Sequence, residues 1–198
     1  MTAEERQFVS KLCLFNIIDT IQNSKIHDLI IVSSDKSVQK ITQRKDIRFV
    51  LEKDDAGVNP AVKRGEDLCK KIGADASLVI PHDLPLLSVM DIDIMCASIN
   101  RRKECVVICP SLKFDGTNGL LRRPPSIIET FYDNNSFESH LKIAKSKGVA
   151  KIFLSKKMMV DLDTPEDLKY IFSSRLSEKI KSQELYTFLK FIIKDRFF

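Results

Sequence analysis

No apolar run in this 198-residue chain reaches the roughly 18 residues that a membrane span requires. The charged, amphipathic N-terminus does not read as a secretory signal. These two absences lead to the expectation of a cytoplasmic protein without a membrane partner. Cysteine and histidine are scarce: Cys13, Cys69, Cys96, Cys105 and Cys109 show no CxxC spacing, and only His27, His82 and His140 accompany them. No zinc pattern can be built from them, and cysteines inside apolar segments act as small hydrophobes. There is no G-x-x-x-x-G-K-[ST] loop, no Ser-His-Asp ordering, no internal repeat and no low-complexity stretch. What remains is an ordinary globular composition, 43% hydrophobic and 30% charged, for which a single domain over residues 1–198 is expected.

The net charge of +5 is uneven: residues 142–198 carry +6 and residues 1–141 carry −1. A basic C-terminal part can attract phosphorylated molecules or nucleic acid, but it also describes a solvated helix face. The solvated face is the reading taken, so no nucleic-acid partner is expected.

Strands and helices alternate along the chain. Thr2-Ala3-Glu4-Glu5 fits a capping box, and Phe8, Leu12, Leu14, Phe15, Ile18 and Ile21 continue at helical spacing. Strands are expected at 29–32, 47–51, 77–81 and 104–109, with shorter ones at 118–122, 151–154 and 158–162. Helices are expected at 60–72, 89–100 and 136–147, near Pro165, and over about 176–195 within an amphipathic C-terminal segment, 174–198. This order implies an α/β three-layer sandwich with a mostly parallel mixed sheet covered on both faces.

The candidate chemistry is acidic. Ser77-Leu78-Val79-Ile80-Pro81-His82-Asp83 reads as a buried strand ending in a carboxylate at the edge where open α/β sheets bind ligands. Asp83 there suits Mg²⁺, which keeps several waters and takes one or two carboxylates. It also suits a helix cap. Asp161 and Asp163 alternate onto one strand face, where they repel unless a cation or donors compensate. Asp115-Gly116-Thr117-Asn118-Gly119 reads either as a hairpin turn or as a loop that approaches a ligand, with a hydroxyl and an amide to hold an anion. Arg122 and Arg123 follow as anion partners. Ser136 opens a helix, a position that attracts anions. Asn59, beside Gly57, is a base or ribose contact or a loop and cap residue. His82 points away from the acid, and His140 lies mid-helix as packing.

Five stretches in this order resemble the 2-phospho-L-lactate guanylyltransferases of deazaflavin coenzyme F-420 biosynthesis. They are Gly57-Val58-Asn59, Asp83-Leu84-Pro85-Leu86-Leu87, Gly116-Thr117-Asn118 with Leu120 and Pro124-Pro125, Ser136-Phe137 with His140, and Asp161-Leu162-Asp163-Thr164-Pro165-Glu166-Asp167-Leu168. The resemblance covers residues 3–172 and implies a GT-A-like nucleotidyltransferase fold. It implies transfer of GMP from GTP to 2-phospholactate or phosphoenolpyruvate with release of pyrophosphate. Asp83 and Asp163, with Asp161, would hold Mg²⁺; Asn59 and Gly57 would face the nucleotide; Thr117, Asn118, Asp133 and Ser136 would lie at the acceptor.

Two departures from the family pattern stand out. Asp133 occupies a position usually held by glycine, three residues before Ser136. The family also opens with a strand and a basic phosphate-binding loop, whereas this chain begins at the following helix, so the fold is expected to be N-terminally short, either because Met1 is an internal methionine of a longer protein or because part of the nucleotide site is lost. The competing readings are a nucleotidyltransferase acting on a molybdopterin or sugar phosphate, and a catalytically silent nucleotide-binding protein. Leu185, Phe188, Leu189 and Ile192 either close the chain's own core or form a homodimer contact.

Overall fold

A computed structural model describes residues 2–44, 47–99 and 102–197. Met1, Asn100 and Phe198, which bound expected segments, lie outside the described residues. The order is α1 (Ala3–Gln22), β1 (Ile30–Ser33), α2 (Lys36–Arg44), β2 (Arg48–Leu51), α3 (Val58–Lys71), β3 (Ser77–Val79) and α4 (Val89–Ala97). Then come β4 (Cys105–Pro110), β5 (Thr117–Arg123), α5 (Ser136–Ser146), β6 (Ala150–Ile152), α6 (Pro165–Ser173) and α7 (Gln183–Phe197). No helix among the described residues is long and apolar enough to cross a membrane.

Local chemistry explains the helix starts. Thr2 caps α1, donating its amide to Glu5 Oε2 at 2.6 Å and accepting the Glu5 amide on Oγ1 at 3.1 Å. Thr164 does the same for α6 with Asp167, and Pro165 sits in the first turn, where its missing N–H costs nothing.

The α/β class and the mixed strand directions are as the sequence implies, but the strands divide into two sheets. β1 pairs with β2 in parallel. The second sheet has the order β3-β5-β4-β6, with β5 antiparallel to both neighbours and β4 parallel to β6. The short strand expected at 118–122 is therefore a central strand of this sheet. No strand forms at 158–162. Met158 lies in a turn and Met159 in a bend, residues 160–162 have no regular structure, and the Leu162 amide donates to the Asp83 carbonyl at 3.0 Å.

Burial alternates along the central strands. Cys105, Val107 and Cys109 of β4 and Leu121 of β5 face a cluster with Ile17 and Ile21 of α1 and Ile92 and Met95 of α4. Val106, Ile108 and Leu120 face the opposite side, toward Phe137 and Ala144 of α5. This two-faced burial is the three-layer arrangement. A third cluster joins α1, α6 and α7 and contains Leu185, Leu189 and Ile192. These positions of α7 thus close the chain's own core rather than await a second copy. Residues 176–179 form a separate 3₁₀ turn ahead of α7.

Gly119 has a packing role. A Cβ there would lie 2.9 Å from Met158 Sδ, 3.2 Å from Cys109 Cβ and 3.3 Å from Met95 Cε. We expect Gly119→Ala to destabilise the protein by about 1–3 kcal/mol through overpacking, read as a lower urea midpoint at unchanged slope. An unchanged midpoint would mean that the core relaxes freely around the added methyl.

Candidate active site

The two sheets leave a cavity of about 500 Å³ between them. β1, α3 and β3 wall it, and the start of β5, the start of α5 and the acidic segment at 161–163 complete it. Consecutive residues Ser77, Leu78, Val79, Ile80 and Pro81 all line it. Since successive strand residues point to opposite faces, the cavity abuts the open edge of β3. Asp83, Asp161, Asp163, Thr117, Asn118 and Ser136 all line this cavity, so residues separated by up to 80 positions meet in one place. Gly57, Asn59 and Asp133 are not among its lining residues.

Asp83 is placed by the leucines on its C-terminal side. Leu84, Leu86 and Leu87 are buried in two different cores, and Asn16 Nδ2 donates to the Pro85 carbonyl at 3.4 Å. The carboxylate is thereby held at the cavity, and its Oδ1 is buried without a partner. Burial pushes the Asp83 carboxyl above the usual range, with the charge of Asp161 adding to the effect and His82 opposing it. Asp163 is raised by burial and then by Asp83, whose carboxyl lies within hydrogen-bonding reach. Asp161 is raised by burial and by Asp163. The Asn118 amide favours ionisation of Asp161 yet falls short of full hydrogen-bond geometry, since Nδ2 has no partner.

Three crowded carboxyls, one with an orphaned oxygen, are the groups to be tested against a hard cation. Among the described residues no group of three or more His, Cys, Asp or Glu is placed to hold a metal ion. Two carboxylates plus waters nevertheless suffice for Mg²⁺, so the residues fit that ion.

On the other wall, the hairpin turn closes itself. Ser111 Oγ donates to Asp115 at 2.7 Å and accepts the Gly116 amide at 3.0 Å. The turn reading is right for Asp115 and Gly116, while Thr117 and Asn118 are the first, buried residues of β5. Thr117 Oγ1 lies 3.0 Å from His140 Nδ1 and 3.3 Å from Ser136 Oγ. The far ring nitrogen, His140 Nε2, accepts the Phe131 amide at 2.8 Å. Burial, then the nearby Arg122 charge, lowers the His140 pKa to about 4, so the ring is neutral.

Several candidates are occupied by structural bonds. Arg122 is buried against Glu66 and the Ile128 carbonyl, both at 3.1 Å. Arg123 bonds Asp75 at 2.6 Å. Arg122 also lines the cavity, and the Nε of each arginine is buried without a partner. Asn59 Oδ1 accepts the Tyr132 amide at 2.8 Å and its Nδ2 donates to Asp133 at 3.2 Å, which ties α3 to the loop before α5. Gly57 is the N-cap of α3 at φ 94°. His82 Nε2 meets Ser10 Oγ at 2.9 Å, a link to α1. The cysteines are free, and burial pushes the Cys13 and Cys109 thiols up to about 12, so they are inert.

Sequence reasoning missed the role of His140 and the Glu66–Arg122 pair. For His140 a signal existed: it stands four residues after Ser136, on the same helix face.

A family model described as "Guanylyl transferase CofC like" matches residues 1–196. The chain belongs to this family. It is 30% identical over 167 residues to the phosphoenolpyruvate guanylyltransferase of Thermobaculum terrenum, covering 83% of this chain and 70% of that protein. It is 31% identical over 175 residues to the 2-phospho-L-lactate guanylyltransferase of Methanocaldococcus sp. FS406-22, covering 87% and 72%. Among solved structures, one from Desulfovibrio desulfuricans G20 assigned to the nucleotide-diphospho-sugar transferases aligns with TM-score 0.73 at 11% identity, covering 94% of this chain and 83% of its own. A cytidylyltransferase from Leptospira borgpetersenii aligns with TM-score 0.59 at 15% identity, covering 92% and 83%. These likenesses give the CofC-like chain a nucleotidyltransferase fold.

Proposed function

We propose that this CofC-like chain transfers GMP from GTP to a three-carbon phospho-acid, 2-phospho-L-lactate or phosphoenolpyruvate, as a step of coenzyme F-420 biosynthesis. The observation that carries the reading is the single cavity flanked by Asp83, Asp161 and Asp163 on one wall and by Thr117 and Ser136 on another. Such a cavity can place a metal-bound triphosphate against an anionic acceptor. Relatives bearing both acceptor names support this activity. A molybdopterin or sugar-phosphate acceptor has no comparable support.

An acceptor phosphate oxygen attacks the α-phosphorus of GTP. The new P–O bond forms as the bond to the bridging α,β-oxygen breaks, and pyrophosphate leaves with that electron pair. The attacking oxygen is already anionic, so no strong general base is required. Asp83 and Asp163, with Asp161 beside them, would hold Mg²⁺, and the chemistry this ion supplies when bound is neutralisation of charge on the phosphates. Thr117 and Ser136 orient the acceptor, and positioning can supply much of such a rate gain. Asn118 stands between the acceptor hydroxyls and Asp161. Asn59 and Asp133 act on the acceptor side as loop anchors rather than through nucleotide contact. In this reading residues 1–198 work as one cytoplasmic domain, and a homodimer would use a surface other than the buried stripe of α7.

The test is pyrophosphate release with Mg²⁺, each of the four nucleoside triphosphates, and either acceptor. Release with GTP plus one phospho-acid is the expected result. Release with another triphosphate, or with a sugar phosphate and neither phospho-acid, would sink the assignment.

A further inference from the structure

We propose that His140 is a positioning residue that sets the polarity of the acceptor wall. Through Thr117 it leaves one hydroxyl proton free to bond an anionic oxygen in the cavity. This inference rests on the guanylyltransferase reading for the identity of the anion, a phospho-acid, but the proton arrangement follows from geometry alone.

The far side of the ring fixes the tautomer. A backbone amide can only donate, and the Phe131 amide lies 2.8 Å from His140 Nε2. Nε2 must therefore carry a lone pair, and the proton of the neutral ring sits on Nδ1. Nδ1–H then donates to Thr117 Oγ1 at 3.0 Å. The neighbouring hydroxyl of Ser136 lies 3.3 Å from the same oxygen. Two hydroxyls joined by one hydrogen bond hold two protons and use one between them. The other remains, whichever of the pair donates. Both side chains are 4% exposed and both line the cavity, so the spare proton has the cavity, not bulk solvent, as its outlet.

The opposite tautomer would reverse the wall. With the lone pair on Nδ1, Thr117 would donate to the ring and Ser136 to Thr117. Both protons would be consumed, and only oxygen lone pairs would face the cavity, where they would repel an anion. One amide behind the ring thus decides whether the pair attracts or repels the acceptor. The ring is well fixed for this role. It is fully buried, and Tyr132 packs edge-on at 5.0 Å between centroids. Ser136 and His140 project from one face of α5, one turn apart.

Two substitutions separate the ring's two bonds. Asn at position 140 places an amide N–H near the site of Nδ1 and keeps the donor to Thr117. Gln places its carbonyl near the site of Nε2 and keeps the Phe131 tether but loses the donor. H140Q is expected to raise KM for the phospho-acid by about tenfold or more, the loss typical of a hydrogen bond to a charged group, with KM for GTP unchanged. H140N is expected to recover most of that loss. A purely structural role would move both KM values together in both variants, and that outcome would overturn the proposal. The tautomer is read independently on the unmodified protein by ¹⁵N NMR of the histidine ring: a proton on Nε2 overturns it, a proton on Nδ1 supports it. If the unmodified protein turns over no substrate, the functional reading fails on its own. Titration with phosphoenolpyruvate, followed at the same ring nitrogens, then decides: a saturable shift supports the donor wall, and no shift overturns it.

Discussion

Asp83→Asn is expected to lower turnover by about a thousandfold, since the charge stabilisation a bound metal supplies is worth several kcal/mol and each 1.36 kcal/mol is a factor of ten. The same substitution is expected to raise the melting temperature of the metal-free protein. The two effects share one cause. Asp83, Asp161 and Asp163 crowd a half-buried wall, and all three carboxyls are pushed above the usual range by burial and mutual repulsion. The folded chain therefore holds these protons more tightly than the unfolded chain does. Their contribution to stability is thus present below the unfolded carboxyl value near 4 and is lost as pH rises through the raised folded values. Metal-free protein should melt lower at pH 8 than at pH 5 on this account, and Mg²⁺ should restore stability at pH 8. In Asp83→Asn and Asp163→Asn both differences should shrink, because the amide keeps the shape and removes the charge. Thermal melts at the two pH values with and without Mg²⁺ give the comparison. A variant that keeps near-normal turnover and a full Mg²⁺ response would remove its residue from the metal site.

The acidic half of this site is legible in the sequence because it is written locally. An apolar run that stops at Asp83, and an acid-rich start to a helix at 161–167, are patterns within a few residues. The geometry between them is not. The segment 158–162 has the apolar content of a strand, yet it begins in a turn and its backbone bond to Asp83 comes from Leu162, so Asp161 and Asp163 reach the cavity from an irregular segment rather than from a sheet. β5 reads only as a short strand because Thr117-Asn118-Gly119-Leu120-Leu121-Arg122-Arg123 lacks the alternation of a half-exposed strand. It lacks alternation because both of its faces are buried, Leu121 toward α1 and α4 and Leu120 toward α5. Arg122 looks like an anion ligand for the same reason: nothing near it in sequence reveals that a glutamate 56 positions earlier, on α3, will claim it. His140 is visible as part of a motif, but its function depends on which nitrogen holds a proton. That is settled by the Phe131 amide, a group no side-chain pattern records.

Glu66→Ala should be more destabilising than Gly119→Ala, by about 3–5 kcal/mol in all, because it strands a buried guanidinium. Glu66 Oε1 takes Lys63 at 3.0 Å and Lys70 at 2.9 Å, and Oε2 takes Arg122 at 3.1 Å. Burial alone would raise its pKa, but the two lysine bonds and the Arg122 charge outweigh that and hold it below the ordinary value. Arg122 is 1% exposed, and its Nε already lacks a partner. Without Glu66 it would keep only the Ile128 carbonyl at 3.1 Å, and a guanidinium does not escape by losing its proton. The reverse deletion is milder. In Arg122→Met the carboxylate keeps Lys63 and Lys70, whose side chains reach solvent. The pair Glu66→Leu with Arg122→Met should recover most of the loss, since replacing both charges by apolar groups of similar volume is often neutral. Urea unfolding of the three proteins measures this, with midpoints compared at constant slope. Equal losses in the two single variants would mean that the pair acts through packing rather than charge. The same pair joins α3 to β5 on the cavity wall, and Asn59 of α3 holds the loop that carries Tyr132 and Asp133. Loss of Glu66 should therefore weaken phospho-acid binding before it weakens the metal response, because the carboxylates are held by the separate Leu84–Leu87 anchor.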